Sequence, residues 1–148
     1  MKTYQKNILI LSCSLGFGAI FNPAFANVQL CKTAPLIVTK KNVGSVSYYA
    51  DDCKKNWETQ NIKLDFSYSQ NIPEWAFKRA ATYFLKKNVP SFTDDSSLNT
   101  ITELYRPVKK GDLYSLSYAQ NSKTLSLSLN QKSLGAITDQ QSNQYFKI

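Results

Sequence analysis

The sequence predicts an α+β fold in which an open-faced antiparallel β-sheet carries helices packed on one face. Several stretches alternate apolar and polar residues with a period of two, the clearest at residues 62–69, which is typical of strands that bury one face. Residues 73–87 instead repeat apolar residues at helical spacing. In chain order the predicted elements are a strand, two helices, three strands and a last helix. This segregation of helices from strands favours an antiparallel sheet with helices on one side.

The segment before the clearest strand is predicted to be extended. Residues 35–43 form a short apolar patch that contains Lys40 and Lys41, which predicts a strand and a turn. Residues 44–50 have an extended pattern, and the polar residues 51–56 predict a loop.

The first helix is predicted to cover residues 73–87. Asn71 is expected to cap it, with Pro73 in the first turn, and Pro90 prevents its continuation. One apolar stripe is expected to face the sheet, formed by Ile72, Ala76, Ala80 and Phe84 and widened by Phe77, Ala81 and Tyr83.

A short amphipathic helix is predicted over residues 98–105, and it must end near Pro107. Three strands follow, at residues 114–118, 125–129 and 134–137. Thr138 is then placed to cap a last helix over residues 139–146.

Residues 1–26 have the parts of a secretory signal peptide. Two lysines precede an apolar run at residues 8–21, and a small-x-small pattern ends at Ala26. The run is shorter than the roughly 20 residues that span a bilayer, which disfavours a membrane anchor, and a lipoprotein signal at Cys13 would have too short an apolar run before it. We expect cleavage near Ala26 and a periplasmic or secreted domain at residues 27–148, without a transmembrane anchor.

The net charge, the cysteine count and the absence of His limit the kinds of site that the chain can form. Removal of residues 1–26 would lower the net charge from +8 to +6 and leave two cysteines, Cys31 and Cys53. In an exported protein such a pair predicts a disulfide; the alternatives are a reactive thiol or a metal site. The absence of His excludes Ser-His-Asp catalysis and His-ligated zinc. We therefore expect no metal and no cofactor.

The excess of basic over acidic residues does not by itself indicate a nucleic-acid partner. Lysine doublets are scattered at residues 54–55, 86–87 and 109–110, without a continuous basic run or an RNP-like aromatic motif. A solvated surface or a loose attraction to anionic envelope components is the simpler interpretation.

The second half of the chain resembles the secreted bacterial branch of the chalcone isomerase-like family. The matching segments are YRPVKKGDLYSLSY, then LGAI and a final FKI, preceded by LDFSYSQNIPEWAFKRAA. The resemblance covers residues 43–148. It implies an open-faced sheet with helices on one side, which agrees with the fold class predicted from the residues.

Two features depart from the family pattern. In the family the last helix continues beyond F-x-I, whereas this sequence stops at Ile148, so C-terminal truncation is expected. Where members of the family have Asn-Gly in this hairpin turn, this sequence has Asn130-Gln131. Because Gln adopts positive φ less readily than Gly, we expect a longer or less ideal turn.

The resemblance implies either ligand binding or isomerisation. Family enzymes hold a substrate oxyanion with an Arg on an early strand, and fatty-acid-binding relatives hold a carboxylate with the same kind of Arg. Here the two arginines are Arg79 and Arg106, and none lies in residues 27–78, so the catalytic residues are unknown. The ligand-binding candidates are Tyr68, Tyr118, Lys40 and Lys41; the tyrosines are otherwise core residues and the lysines a solvated turn.

Three functions follow from this comparison. The preferred one is an exported domain that binds a small hydrophobic ligand, apolar or amphipathic and fatty-acid- or flavonoid-like. The alternatives are an active isomerase or lyase on an enone-like substrate, and a truncated non-functional copy.

Overall fold

Every strand of the sheet pairs with the strand next to it in sequence. The structure is a computed structural model that describes Phe25 and residues 27–148. The six antiparallel strands are β1 (Gln29–Val38), β2 (Lys41–Ala50), β3 (Ile62–Tyr68), β4 (Leu113–Ala119), β5 (Thr124–Leu129) and β6 (Lys132–Thr138). Two helices, α1 (Glu74–Asn88) and α2 (Leu98–Glu103), lie in the connection between β3 and β4. The predicted α+β fold class is confirmed.

The predicted signal peptide lies in the N-terminal segment, most of which the structure does not describe. Apart from Phe25, residues 1–26 are outside the described residues, and so is the predicted signal peptide. Within the described part of the chain, no helix has the length and apolar character needed to cross a membrane.

One face of the sheet is apolar and the other is polar. Tyr118 pairs with Leu125 and Leu116 with Leu127, so these side chains stack on the same face. All four are at most 1% exposed. The serines between them lie on the opposite face and are half-buried. The period of two in the sequence therefore predicted the orientation of β4 and β5 correctly.

Helix α1 differs from its prediction in two ways. The predicted cap Asn71 does not cap the helix, because its Oδ1 accepts a hydrogen bond from the backbone N–H of Lys110 at 3.0 Å. The N-cap residue is Pro73, which makes no side-chain capping bond. The predicted stripe is also wrong in part, since Ala80, Tyr83 and Phe84 are exposed, whereas Phe77 and Ala81 pack on the core as predicted.

The face of α1 that packs on the sheet is formed by Phe77, Ala81 and Leu85. The Phe77 ring stacks on Tyr105, with centroids 5.3 Å apart, and meets Tyr114 edge-on at 5.4 Å. The predicted stripe combined two apolar series that each repeat every four residues, one through Ala76 and Ala80 and one through Phe77 and Ala81. The aromatic contacts of Phe77 select the second series.

The turn at Asn130-Gln131 is a two-residue turn, so the expectation of a longer one is wrong. Leu129 pairs directly with Lys132, and φ is 50° at Asn130 and 67° at Gln131. The Asn130 side chain accepts from the backbone N–H of Leu113 at 2.9 Å and donates to Asp112 at 2.9 Å. These bonds hold the turn against the start of β4, which allows positive φ without glycine.

The last predicted helix is a 3-10 helix, Ser142–Lys147, rather than an α-helix from 139. Thr138 does not cap it: Thr138 ends β6 and shares a hydroxyl hydrogen bond with Thr124 at 2.9 Å. The hydroxyl of Ser142 donates to the Lys123 carbonyl at 2.6 Å. This bond holds the start of the 3-10 helix against the turn between β4 and β5.

The predicted disulfide between Cys31 and Cys53 is present, with Cα atoms 5.3 Å apart. It joins β1 to the loop that follows β2. That loop forms one wall of the candidate site.

Candidate ligand-binding cleft

The helices leave part of the apolar sheet face uncovered. On β4 and β5, Leu116 and Leu127 are fully buried, whereas Tyr48 on β2 and Leu64 and Phe66 on β3 are half-buried. A cleft of about 320 Å³ lies over this region. Its lining residues are Tyr48, Cys53, Lys55, Asn56, Trp57, Ile62, Leu64 and Phe146.

Two aromatic rings form the wall opposite the sheet. Trp57 and Phe146 have ring centroids 6.4 Å apart and planes tilted by 49°. Trp57 begins a 3-10 turn, Trp57–Thr59, which Asn56 caps by accepting from the backbone N–H of Glu58 at 2.9 Å. The cap fixes the position of the indole relative to the disulfide loop.

The loop that carries Trp57 is held from within by a buried glutamine. Gln60 is 5% exposed; its side-chain oxygen accepts from the backbone N–H of Asp52 at 2.7 Å, and its amide donates to the Asp52 carbonyl at 3.0 Å. Asn143, in the C-terminal 3-10 helix, donates to the Glu58 carbonyl at 3.3 Å. The loop and the C-terminal segment are thereby linked into one wall.

The cleft has one cationic side chain. The Lys55 ammonium lies 3.9 Å from Asp52 Oδ2, and the two side chains are 70% and 41% exposed. An ion pair this long and this exposed contributes little. Lys55 can therefore turn toward an anionic group at the mouth of the cleft at small cost.

A fully buried tyrosine is the sheet neighbour of the lining residue Ile62. Tyr118 pairs with Ile62 across β3 and β4 and is fully buried. Within the described residues its hydroxyl has no hydrogen-bond partner, and burial raises its pKa. A buried hydroxyl without a partner is unfavourable, so a polar ligand atom that reached it would be stabilised.

The structure does not bring the four predicted ligand-binding residues to one place. Tyr118 is the one nearest the cleft. Tyr68 is six residues from Ile62 along β3, roughly 20 Å away, and lines a separate polar cleft of about 270 Å³ with Gly44 and Ser67. Lys40 and Lys41 are exposed in and after the two-residue turn between β1 and β2.

Sequence reasoning missed Trp57, Phe146 and Lys55. The available signal was Trp57 itself, a large aromatic residue directly after the polar loop 51–56 and four residues after a predicted disulfide cysteine. A tethered loop that carries an indole is a candidate wall for an apolar site.

Comparison with known proteins adds evidence on the fold. No family model matches the sequence, and no curated protein matches it. Among solved structures, a fatty-acid binding protein from Arabidopsis thaliana superposes with a TM-score of 0.60. The two sequences are 15% identical, and the match covers 82% of this chain and 78% of the other.

This chain has the chalcone isomerase-like fold. Neither of its arginines lines the cleft. Arg79 is exposed on α1, and the Arg106 guanidinium donates to the Tyr105 carbonyl at 3.2 Å. What the cleft offers is an apolar surface, two aromatic rings and one ammonium group, which are the means of binding an amphipathic molecule.

Proposed function

We propose that this chain is an exported protein of the secreted bacterial branch of the chalcone isomerase-like family. In this proposal it binds a fatty-acid-like molecule in the cleft over β2 and β3 and performs no chemistry on it. The single observation that carries the proposal is the uncovered apolar sheet face, closed on one side by Trp57 and Phe146 and bordered by Lys55.

The apolar walls suit a hydrocarbon chain. The volume of about 320 Å³ falls within the range of small-ligand sites. Each methylene that leaves water for this surface contributes about 0.8 kcal/mol. The structural neighbour from Arabidopsis is described as a fatty-acid binding protein, and that description supports the ligand class.

The polar groups suit a single anionic head group. In the proposal the Lys55 ammonium attracts the carboxylate at the solvent side, where its weak pair with Asp52 is easily exchanged. A mono-anionic chain pairs with this ammonium at the solvent side and therefore buries no charge.

Export is part of the proposal. The signal-like residues 1–26 support it, and so does the Cys31–Cys53 disulfide, because disulfides persist in oxidising compartments. When the full chain is expressed in a bacterium, the envelope fraction should contain protein whose N-terminal residue is Asn27. Intact residues 1–26 on cytoplasmic protein would contradict export without affecting the binding test.

The binding test compares dodecanoate with dodecanol by isothermal titration on the purified protein. Lys55→Gln should weaken dodecanoate about threefold to fivefold, the effect of an exposed ion pair, and leave dodecanol unchanged. Lys110→Gln removes the same charge from an exposed turn residue and should change neither. Leu64→Asn should weaken both ligands.

Several results would overturn the binding proposal. Folded protein that binds neither probe, or an equal effect from Lys55→Gln and Lys110→Gln, contradicts a ligand in this cleft. Turnover of a chalcone above its uncatalysed rate would instead favour the isomerase alternative.

A further inference from the structure

The outward face of α1 carries three large aromatic side chains in solvent. Trp75 is 65% exposed, Tyr83 59% and Phe84 39%. Trp75 and Tyr83 lie on the side of the helix opposite Ala81 and Leu85, which are buried against the sheet, whereas Phe84 lies at the margin of the buried side. The helix therefore has apolar side chains on two sides, and packing against the sheet accounts for those on only one side.

The same outward face is cationic. Arg79, Lys86 and Lys87 are interleaved with the aromatic residues and are exposed, and the Lys87 ammonium lies 5.9 Å from the centroid of the Tyr83 ring. Lys86 is 3.1 Å from Asp94, with the two side chains 56% and 85% exposed, a pair that water screens.

The acidic residue of α1 lies elsewhere on the helix. Glu74 is paired with Lys78 at 2.8 Å, and Lys78 also contacts Glu103 at 2.9 Å on α2's side. No acidic side chain of α1 therefore interrupts the outward face. That face therefore has aromatic and basic side chains, separated by small alanines, and no acidic side chain of α1.

We propose that this face of α1 docks on the surface of an anionic lipid bilayer. Aromatic rings are favourable at the depth of lipid headgroups, where one end of the side chain is apolar and the other is wet. Lys and Arg near an anionic leaflet are each attracted to it. A helix that presents both on one face lies along the interface.

The charge pattern favours lipid over a second copy of the chain. In a symmetric dimer through this face, the same patch would contact itself, and Arg79, Lys86 and Lys87 would meet their own positive charges. Like charges opposed in an interface cost several kcal/mol. An anionic bilayer complements all three cations at once, and its headgroup region accepts Trp75 and Tyr83.

The test uses the fluorescence of Trp75. The chain has two tryptophans, so Trp57→Phe leaves Trp75 as the reporter. With vesicles of phosphatidylglycerol and phosphatidylcholine, the emission of Trp75 should shift to the blue and become shielded from acrylamide. Pure phosphatidylcholine vesicles should give little shift, and rising salt should reverse the shift.

A matched pair of triple variants localises the charge effect. Replacing Arg79, Lys86 and Lys87 by Gln should weaken vesicle binding about 100-fold, since each cation contributes about 1 kcal/mol and about 1.4 kcal/mol corresponds to a tenfold change. Replacing the exposed Lys109, Lys110 and Lys132 by Gln removes the same charge and should change binding by less than tenfold. Circular dichroism of both variants checks that they are folded.

A second variant tests the aromatic contribution. Tyr83→Ser with Phe84→Ser alters two exposed side chains and should reduce the blue shift of Trp75 at saturating lipid. An equal loss of binding in both triple variants would overturn the proposal, and so would the absence of any vesicle-induced shift in the parent protein. Binding to soluble polyglutamate as tight as to vesicles, or a dimer that dissociates in the aromatic variant, would also overturn it by identifying another partner.

Discussion

The hydroxyl groups of Thr102 and Tyr145 lie 3.0 Å apart inside the protein, where both side chains are at most 2% exposed. This hydrogen bond joins α2 to the C-terminal 3-10 helix. That 3-10 helix supplies Phe146 to the ligand cleft. The bond therefore links the helical layer to one wall of the candidate site.

Removing either partner of this bond should destabilise the protein. Tyr145→Phe or Thr102→Val leaves one buried hydroxyl unpaired, which costs about 1–3 kcal/mol. The double variant should cost less than the sum of the two, since both polar groups are then gone. Urea unfolding measures the cycle, with Tyr83→Phe, at a side chain 59% exposed, as a control expected to change little. Additive single effects would show that the two hydroxyls are not coupled.

Two buried tyrosines on β4 should respond differently to substitution by Phe, because the hydroxyl of one is hydrogen-bonded and that of the other, among the described residues, is not. Tyr114 and Tyr118 are at most 1% exposed on the same face. The Tyr114 hydroxyl accepts from the Arg106 backbone N–H at 2.7 Å and donates to the Arg106 carbonyl at 2.8 Å, whereas the Tyr118 hydroxyl has no partner in the described part of the chain.

Tyr114→Phe should lower the free energy of unfolding by about 1–3 kcal/mol, because it leaves buried backbone groups unpaired. Tyr118→Phe should leave stability unchanged or raise it by up to about 1 kcal/mol, because it removes an unpaired hydroxyl. Guanidinium unfolding curves for the two variants provide the comparison. A Tyr118→Phe variant as unstable as Tyr114→Phe would mean that the Tyr118 hydroxyl is bonded after all.

Stability should fall above about pH 10. Burial raises the pKa of Tyr145 to about 12, and burial also raises the pKa values of Tyr68 and Tyr105. Between the unfolded pKa near 10 and these higher folded values, the unfolded chain has released protons that the folded chain still holds. The unfolded state is thereby favoured as pH rises.

Tyr145 alone should contribute a loss of about 1 kcal/mol at pH 11 relative to pH 8. Denaturant unfolding at pH 8, 9.5 and 11 measures the slope, and absorbance at 295 nm follows tyrosinate formation. Tyr145→Phe should have the shallower slope. If all tyrosines ionised near pH 10 without unfolding, the buried arrangement would be contradicted.

The disulfide should stabilise the fold and the cleft together. Cys31 and Cys53 are separated by 22 residues, and closing a loop of this length contributes about 3 kcal/mol. Replacing both by Ser should lower the free energy of unfolding by that amount and weaken dodecanoate binding, since Cys53 lines the cleft. Addition of dithiothreitol should affect the parent protein and not this variant. Alkylation of two thiols in unreduced, mature protein would contradict the bridge.

Gln131→Gly should stabilise the β5–β6 hairpin. Gln131 has φ of 67°, a conformation that costs a non-glycine residue about 1–2 kcal/mol and that glycine adopts freely. We expect a gain of about 1 kcal/mol, reduced by the greater entropy of glycine in the unfolded chain. Gln131→Ala keeps the strain and should give no gain. Thermal unfolding of the two variants decides whether the two-residue turn is correct.

Local periodicity was sufficient for the strands that bury one face completely. The alternation through Leu116 and Tyr118, and through Leu125 and Leu127, predicted both their strand character and their orientation. On α1 it was too broad, because two apolar series with the same four-residue spacing compete and the predicted stripe contained residues of both. The aromatic contacts of Phe77 with Tyr105 and Tyr114 select one series, and those contacts join residues 28 and 37 positions apart in the sequence.

The cleft depended still more on tertiary structure. Its lining comes from positions as distant as Tyr48 and Phe146, and no local pattern states which part of a sheet the helices will leave uncovered. Of the four predicted ligand residues, Tyr118 alone lies beside a cleft residue of the apolar site. Tyr68 and Tyr118 lie at the C-terminal ends of the neighbouring strands β3 and β4. Antiparallel pairing places these two ends at opposite ends of the sheet, which separates Tyr68 from the apolar cleft.

The sequence by itself determined the α+β class, the order of the main elements, the paired cysteines and the apolar face of the central strands. These properties depend on residues close in sequence or on the count of a residue type. Tertiary structure decided which face of α1 is buried, that the last helix is a 3-10 turn, and where an apolar ligand can bind. Those properties depend on packing between distant segments, where side-chain volume and hydrogen-bond partners choose among local conformations of similar free energy.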